Sequence, residues 1–515
     1  MGEDIVVGID VGTTATKAGA FLLDGTPVAV ASVPSQLLRP APGRVEQDPD
    51  QMVAEAKDAL RLCLAQGQDK AADVVALGVT GQMAGVLGID AHWHPVTPYD
   101  SWLDTRCEPM VSLLERLHGE AMVEIAGCPP MNAHVAKMMW WRDERPESYS
   151  SVAKFIMPAV YVAGHFAGLS AAEAFIDPTY LHFSGLVDAL HGRWSSELID
   201  RVQIDDKKLP RIVDPCTVVG FLTAEMARET GLRAGTPVVA GAGDSAAGAL
   251  AAGIVTSGQA LDTAGTASVL AGSVSSFRPD RRDGTLMLTR GVLPEQWLCV
   301  AYVAGGGSCL PWLAGVMNDT EQTTAADVDR LLELAASAPA GAEELLFVPH
   351  LDGRVLPSAP WLRGAFVGLT FRHERRHLAR AALEAISFEY AIYMERMRQL
   401  YPDIAWSDLR VIGGGSRSAV WNQIKADVLG VPLCTVELRE PAAWGVALIA
   451  ARGAGLAPDL AGEAARVALG VCTEPDGSTK AAYTEAMERY RRTVDSLVAL
   501  HERVTTESNE RTKRT

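Results

Sequence analysis

The residues best suited to chemistry stand at the start of the chain, in Asp10-Val11-Gly12-Thr13-Thr14. An apolar, largely β-branched run, Ile5-Val6-Val7-Gly8-Ile9, delivers the carboxylate of Asp10 into a tight turn, and a second apolar run over residues 18–23 follows at once. Glycine lets backbone approach an anion closely, and the N–H groups and hydroxyls of such a turn can donate to it. A carboxylate beside them offers Mg²⁺ a hard oxygen ligand, direct or through water. Strand, polar turn and strand therefore predict a site for phosphates and a metal ion. A plain β-hairpin with a polar turn is the other reading of the same residues.

Two more glycine turns stand at strand ends. Asp262-Thr263-Ala264-Gly265-Thr266-Ala267-Ser268 repeats the strand, Gly/Thr turn and strand of the N-terminus, which predicts two related halves. A strand over 409–412 runs into Gly413-Gly414-Gly415-Ser416-Arg417-Ser418 and then a helix over 419–429, an arrangement suited to an anion or nucleotide. A fourth segment carries a carboxylate: a strand over 236–241 opens into Ala242-Gly243-Asp244-Ser245, ahead of a short helix of small residues over 246–252. Standing before Ser245-Ala246-Ala247, Asp244 reads by itself as a helix N-cap.

The elements that must position these residues alternate between strand and helix, which favours an α/β fold. A buried strand over 74–79 ends at Thr80-Gly81-Gln82-Met83, a helix over 50–65 starts at Asp48-Pro49-Asp50, and residues 378–400 form a long amphipathic helix. With 515 residues the chain exceeds one core, so two domains are expected, 1–257 and 258–500, with a polar tail over 501–515. The net charge is −17, from 46 basic and 63 acidic residues, which argues against nucleic-acid or anionic-membrane partners. No apolar run reaches membrane-spanning length. The eight cysteines form no CxxC, so they are expected to be reduced core residues of a cytoplasmic protein.

Taken together these motifs resemble the FGGY carbohydrate kinases, and within them the xylulose kinases. Further segments carry the likeness: Glu46-Gln47-Asp48-Pro49, Gly81-Gln82-Met83, Trp102-Leu103-Asp104-Thr105-Arg106-Cys107 and Glu440-Pro441-Ala442-Ala443-Trp444-Gly445-Val446-Ala447. The resemblance implies a duplicated actin-like, ribonuclease-H-like fold closing over a cleft, with ATP and Mg²⁺ as cofactors and a ketopentose or similar polyol as substrate. It also implies a homodimer. It makes Asp244 the catalytic base and Asp10 the metal-side aspartate. Gly12, Thr13, Thr14, Lys17, Gly265, Thr266, Gly414, Gly415 and Ser418 fall on the ATP side. Gln82, Met83, Ala84, Trp102, Asp104, Arg106 and Ser245 fall on the sugar side. Lys137 stands where the family also has a lysine, without a role that the resemblance supplies.

Three positions depart from the xylulose kinase pattern. Ala84 replaces a His, Leu103 an Asn and Ser245 an Asn, all where hydroxyls are read. These changes leave another pentulose, erythritol or a glycerol-like polyol open as substrate. Rival functions are also written in the chain. His373-Glu374-Arg375-Arg376-His377 spells HExxH, which at helical spacing would place two histidines on one face for zinc. A non-catalytic actin-like nucleotide-binding protein would share the phosphate turns but not the sugar loop or Asp244. A dinucleotide-binding fold would need a helix after Gly12, where an apolar strand follows instead.

Overall fold

The computed structural model describes residues 4–67, 73–265, 267–320 and 322–512, those after 504 by backbone alone. The first sheet runs in the order Val218–Phe221, Pro237–Val239, Val74–Gly81, Ile5–Val11, Ala15–Leu22, Pro27–Pro34. The second runs Leu469–Thr473, Leu433–Val436, Asp408–Ile412, Gln259–Ala264, Ser268–Val274, Trp297–Val303, Met287–Arg290. Strand directions repeat between them. Ile5–Val11 is antiparallel to Ala15–Leu22 and parallel to Val74–Gly81; Gln259–Ala264 is antiparallel to Ser268–Val274 and parallel to Asp408–Ile412. The repeated hairpin read from the sequence is thus the centre of two related sheets. We place the division between the halves near residues 256–258, where the second sheet begins.

Two helices lie between the sheets, and each crosses to the other half. Pro441–Gly453 belongs to the second half in sequence but packs on Ile5–Val11 and Val74–Gly81. Asp244–Ala251 belongs to the first half; its Ala249, with Ala252 and Ile254 just beyond it, joins a cluster with Leu261, Ala271 and Ile412 of the second sheet. The approach requires glycine. A Cβ on Gly8 would sit 1.9 Å from the carbonyl oxygen of Ala443, one on Gly78 2.7 Å from that of Val446, and one on Gly445 1.9 Å from that of Ala247.

Most expected elements are present with shifted ends. The helix over 50–65 is Pro49–Gln66, capped by Asp48 as its Asp-Pro-Asp start predicts. The helix expected over 378–400 begins at Arg375. The final helix, Lys480–Thr512, runs unbroken past residue 500, so the segment read as a polar tail continues the helix. The cysteine reading needs correction. Cys434 and Cys472 stand directly opposite each other on Leu433–Val436 and Leu469–Thr473 and form a disulfide, while six cysteines are free. Cross-strand register, invisible in the spacing, brings them together. No helix among the described residues is long and apolar enough to cross a membrane.

The glycine contacts give a direct test. Gly445→Ala forces a methyl against backbone that cannot yield, and overpacking of this kind costs about 1–3 kcal/mol or more. Urea denaturation should register that loss. Gly477→Ala, where a Cβ meets nothing within 4 Å, should leave the midpoint in place.

Candidate active site

Asp10 is the penultimate residue of the Ile5–Val11 strand, and its cross-strand neighbour is Lys17. Lys17 is partly exposed, and its Nζ lies 2.7 Å from Oε2 of Glu440, the residue that opens the Pro441–Gly453 helix. Asp10 Oδ1 is buried with no hydrogen-bond partner among the described residues. Burial pushes the Asp10 carboxyl up to about 7; the charges of Asp244 and Glu440 add to the rise and Lys17 opposes it. Asp10, Asp244, Glu440 and Lys17 therefore share one electrostatic site, built from both halves of the chain.

Asp244 is the first residue of the Asp244–Ala251 helix, and Gly243 takes the N-cap position. The capping reading of Asp244 thus does not hold. Among the described residues its Oδ1 accepts only from its neighbour Ser245, from N at 2.6 Å and Oγ at 3.1 Å. Burial pushes the Asp244 carboxyl up to about 6 against those two donors. The turn before it is fixed from several sides. Gly243 bridges to Gly81, Thr80 Oγ1 donates to the Ala242 carbonyl at 2.6 Å, and Met83 packs so closely that a Cβ on Gly243 would lie 2.4 Å from its methyl. Ala84 and Ser245 both remain accessible beside this turn.

Sequence reasoning missed a segment here. Thr179 Oγ1 accepts from Gly243 N at 2.8 Å and donates to buried Asp177 at 2.5 Å, and Tyr180 Oη donates to the Gly81 carbonyl at 3.0 Å. The signal that could have found it is Asp177-Pro178-Thr179, a side-chain turn motif with an aromatic at its end. His134 is a satisfied core histidine. Its Nε2 donates to the Met83 carbonyl at 2.8 Å, and burial pushes it down to about 4, so it is neutral near pH 7.

The loop carrying Trp102 is held by buried charge. Lys137, with no exposed surface, donates to the carbonyls of Ser101 and Asp104, both at 3.0 Å. Arg106 pairs with Glu46 at 2.5 Å, Asp104 at 2.7 Å and Asp100 at 3.3 Å, and lies over the ring of Trp140. Asp104 also accepts from Val45 N at 2.7 Å, so both its oxygens are engaged within the protein. Asp104 and Arg106, expected on the sugar side, have their polar groups turned to these partners. They fold the loop, and the ion pair that the motif contains is internal. Leu103 and Trp102 are half-buried, and Trp102 Nε1 donates to Thr13 Oγ1 at 2.9 Å. Gln82 is buried and faces the phosphate turn, with Nε2 donating to Gln47 Oε1 at 2.7 Å and weakly to the Gly12 carbonyl at 3.4 Å.

In the second half, the turn over 413–415 sits against the end of the repeated hairpin. Gly413 has φ +90°, and Cβ atoms on Gly413 and Gly415 would collide with Ala264, next to Gly265. Gly414 faces open space. Ser418 caps the Ala419–Leu429 helix through Trp421 N at 3.2 Å, so its hydroxyl accepts within the protein. Thr266 lies outside the described residues. Beneath this turn Lys425 and Asp262 form a buried pair, to which Tyr390 Oη donates at 2.7 Å.

The HExxH segment does not form a zinc face. The helix begins only at Arg375, so His373 precedes it and Glu374 is its cap. His373 Nδ1 accepts from Thr370 N and His377 Nδ1 from Glu374 N, both in capping geometry. Among the described residues no group of three or more His, Cys, Asp and Glu could hold a metal.

Two related sheets, exchanged central helices and a Gly/Thr hairpin at the middle of each define an actin-like phosphotransferase architecture. Comparison with known proteins agrees. Residues 5–251 match the N-terminal domain of the FGGY family of carbohydrate kinases, and residues 262–454 its C-terminal domain. A xylulose kinase of Escherichia coli K12 is 31% identical over 96% of this chain and 99% of its own. A gluconokinase of Bacillus subtilis is 26% identical over 86% of each. The crystal structure of a xylulose kinase from Rhodospirillum rubrum superimposes with a TM-score of 0.87 at 28% identity, covering 97% of this chain and all of the other. The chain belongs to the FGGY family of carbohydrate kinases. It is an enzyme that transfers phosphate from ATP to a sugar.

The raised carboxyl of Asp10 has a consequence for stability. Between the ordinary carboxylate range and about pH 7 the folded chain holds a proton that the unfolded chain has lost, so stability falls as pH rises through that window. With magnesium removed by chelator, Asp10→Asn should raise the melting temperature by a few degrees at pH 8. The gain should vanish by about pH 4. A variant that melts lower than the parent at pH 8 would show that Asp10 is stabilised as an ion rather than strained.

Proposed function

We propose that the chain phosphorylates a ketopentose, D-xylulose, in the cytoplasm, with ATP and Mg²⁺. The observation that carries the sugar assignment is the likeness along 96% of the chain to a protein named xylulose kinase. Asp244 acts as general base, taking the proton of the attacking hydroxyl as that oxygen bonds to the γ-phosphorus and the bridging oxygen leaves on ADP. A carboxyl near 6 is ionised at neutral pH yet basic enough for the task.

Asp10 suits magnesium. Its orphaned oxygen lies in a site with an excess of carboxylates over cations, the condition a divalent cation relieves. Magnesium would bind there with the phosphates and neutralise charge on the transferring group. Gly12 and Thr14, with Gly265 and Gly414 opposite, line the nucleotide side, while Gly415 and Ser418 shape its turn; Thr266 joins them by the sequence motif alone. Lys17, held by Glu440, ties the phosphate hairpin to the helix from the other half. On the acceptor side the exposed faces of Met83, Ala84, Trp102 and Ser245 meet the sugar. Gln82, Asp104, Arg106 and Lys137 support that surface from behind.

Asp244→Asn should lower turnover by about 10²- to 10⁴-fold while ADP affinity is retained; near-normal turnover would remove Asp244 from the chemistry. Coupled ADP release with D- and L-xylulose, D- and L-ribulose, erythritol and glycerol tests the sugar. D-xylulose should give the highest kcat/KM. If another polyol wins, Ala84, Leu103 and Ser245, which lack the polar readers expected there, become the positions to revert. Rejection of a substrate lacking a read hydroxyl reaches about 10⁴-fold, so the panel separates these outcomes.

A further inference from the structure

The acceptor loop and the phosphate turn share one hydroxyl, that of Thr13. Trp102 Nε1 lies 2.9 Å from Thr13 Oγ1, and Thr13 Oγ1 lies 3.2 Å from Gln82 Oε1. An indole N–H only donates, so Thr13 accepts there. A hydroxyl carries one proton, and the carboxamide oxygen of Gln82 only accepts, so that proton is donated to Gln82. Gln82 is itself fixed. It is buried, and its Nε2 lies 2.7 Å from Gln47 Oε1 and 3.4 Å from the Gly12 carbonyl; because that carbonyl only accepts, a flipped amide would set oxygen against oxygen there.

A phosphate oxygen also only accepts. While these bonds stand, the Thr13 proton is unavailable to it. Thr14 differs: it is exposed, and its hydroxyl has no hydrogen-bond partner among the described residues. We propose that Thr13 is a positioning residue. It ties Trp102 to the phosphate turn, so that occupancy of the acceptor site is felt at the nucleotide site, and side-chain contact with the phosphates falls to Thr14. This inference rests on the kinase reading of the site.

Calorimetry with ADP as nucleotide probe and D-xylulose as acceptor probe tests it on the full chain, together with steady-state kinetics. Thr13→Val should leave ADP affinity without sugar within about twofold. It should raise the sugar KM by about tenfold, because Trp102 loses its acceptor. It should also remove any tightening of ADP by sugar. Thr13→Ser should restore all three. Trp102→Phe, which keeps an aromatic ring but loses the N–H, should add little to Thr13→Val, whereas Thr14→Val should weaken ADP alone. If Thr13→Val weakens ADP as much as Thr14→Val, or if the Thr13 and Trp102 effects multiply independently, the proposal is overturned.

A readout that needs no sugar separates this failure from failure of the sugar assignment. The ¹⁵N-indole resonance of Trp102, assigned by its loss in Trp102→Phe, should shift and lose exchange protection in Thr13→Val but not in Thr13→Ser. An unmoved resonance overturns the Thr13–Trp102 link even if the wild-type protein binds no D-xylulose.

Discussion

The architecture depends on how closely two helices approach two sheets. Gly8 and Gly78 strip side chains from neighbouring strands, and the Pro441–Gly453 helix settles on the exposed backbone. Gly445 in turn admits the Asp244–Ala251 helix, whose first residue is the buried carboxylate proposed as general base. Because each helix belongs to one half and packs with the other, the halves cannot part without opening this contact. The same contact carries Glu440 to Lys17 and so brings the second half to the first phosphate turn. Interiors packed at this density transmit small shifts, which suits a clamp that must exclude water from the transferring phosphate.

Charge is distributed unevenly around that contact. On the phosphate side, carboxylates outnumber cations, and both Asp10 and Asp244 are held above the ordinary carboxylate range by burial. Such a site is destabilising in itself, as functional sites commonly are. On the acceptor side the opposite device is used. Lys137 and Arg106 are buried among Glu46, Asp100 and Asp104 and backbone carbonyls. Removing one partner of such a cluster costs more than the cluster contributes, because the remaining charge is stranded. The loop bearing Trp102 is therefore rigid for reasons that lie behind it.

Much of the site was legible in the sequence because its signals are local. Asp10-Val11-Gly12-Thr13-Thr14, the repeat at Asp262, the triple glycine at 413–415 and the Ala-Gly-Asp-Ser segment at 242–245 each place their residues by short-range geometry. The element starts with clear capping chemistry, such as Asp48, were legible for the same reason. The HExxH segment shows the converse. Its letters imply one helical face, but the helix begins after His373, and local capping geometry overrides the spacing.

By itself the sequence determined the duplicated α/β architecture, the family, and which turns carry glycine and carboxylate. The tertiary structure alone decided which of those polar groups are free. Asp104 and Arg106 are drawn inward by partners up to 60 residues away, Thr13 is engaged by Gln82 and Trp102 across separations of 69 and 89, and Cys434 meets Cys472 only through strand register. A hydrogen bond has few donors and acceptors to share, and its partners are set by packing rather than by neighbours in sequence. Residue type states what a group can do; the fold states whether it is still available to do it.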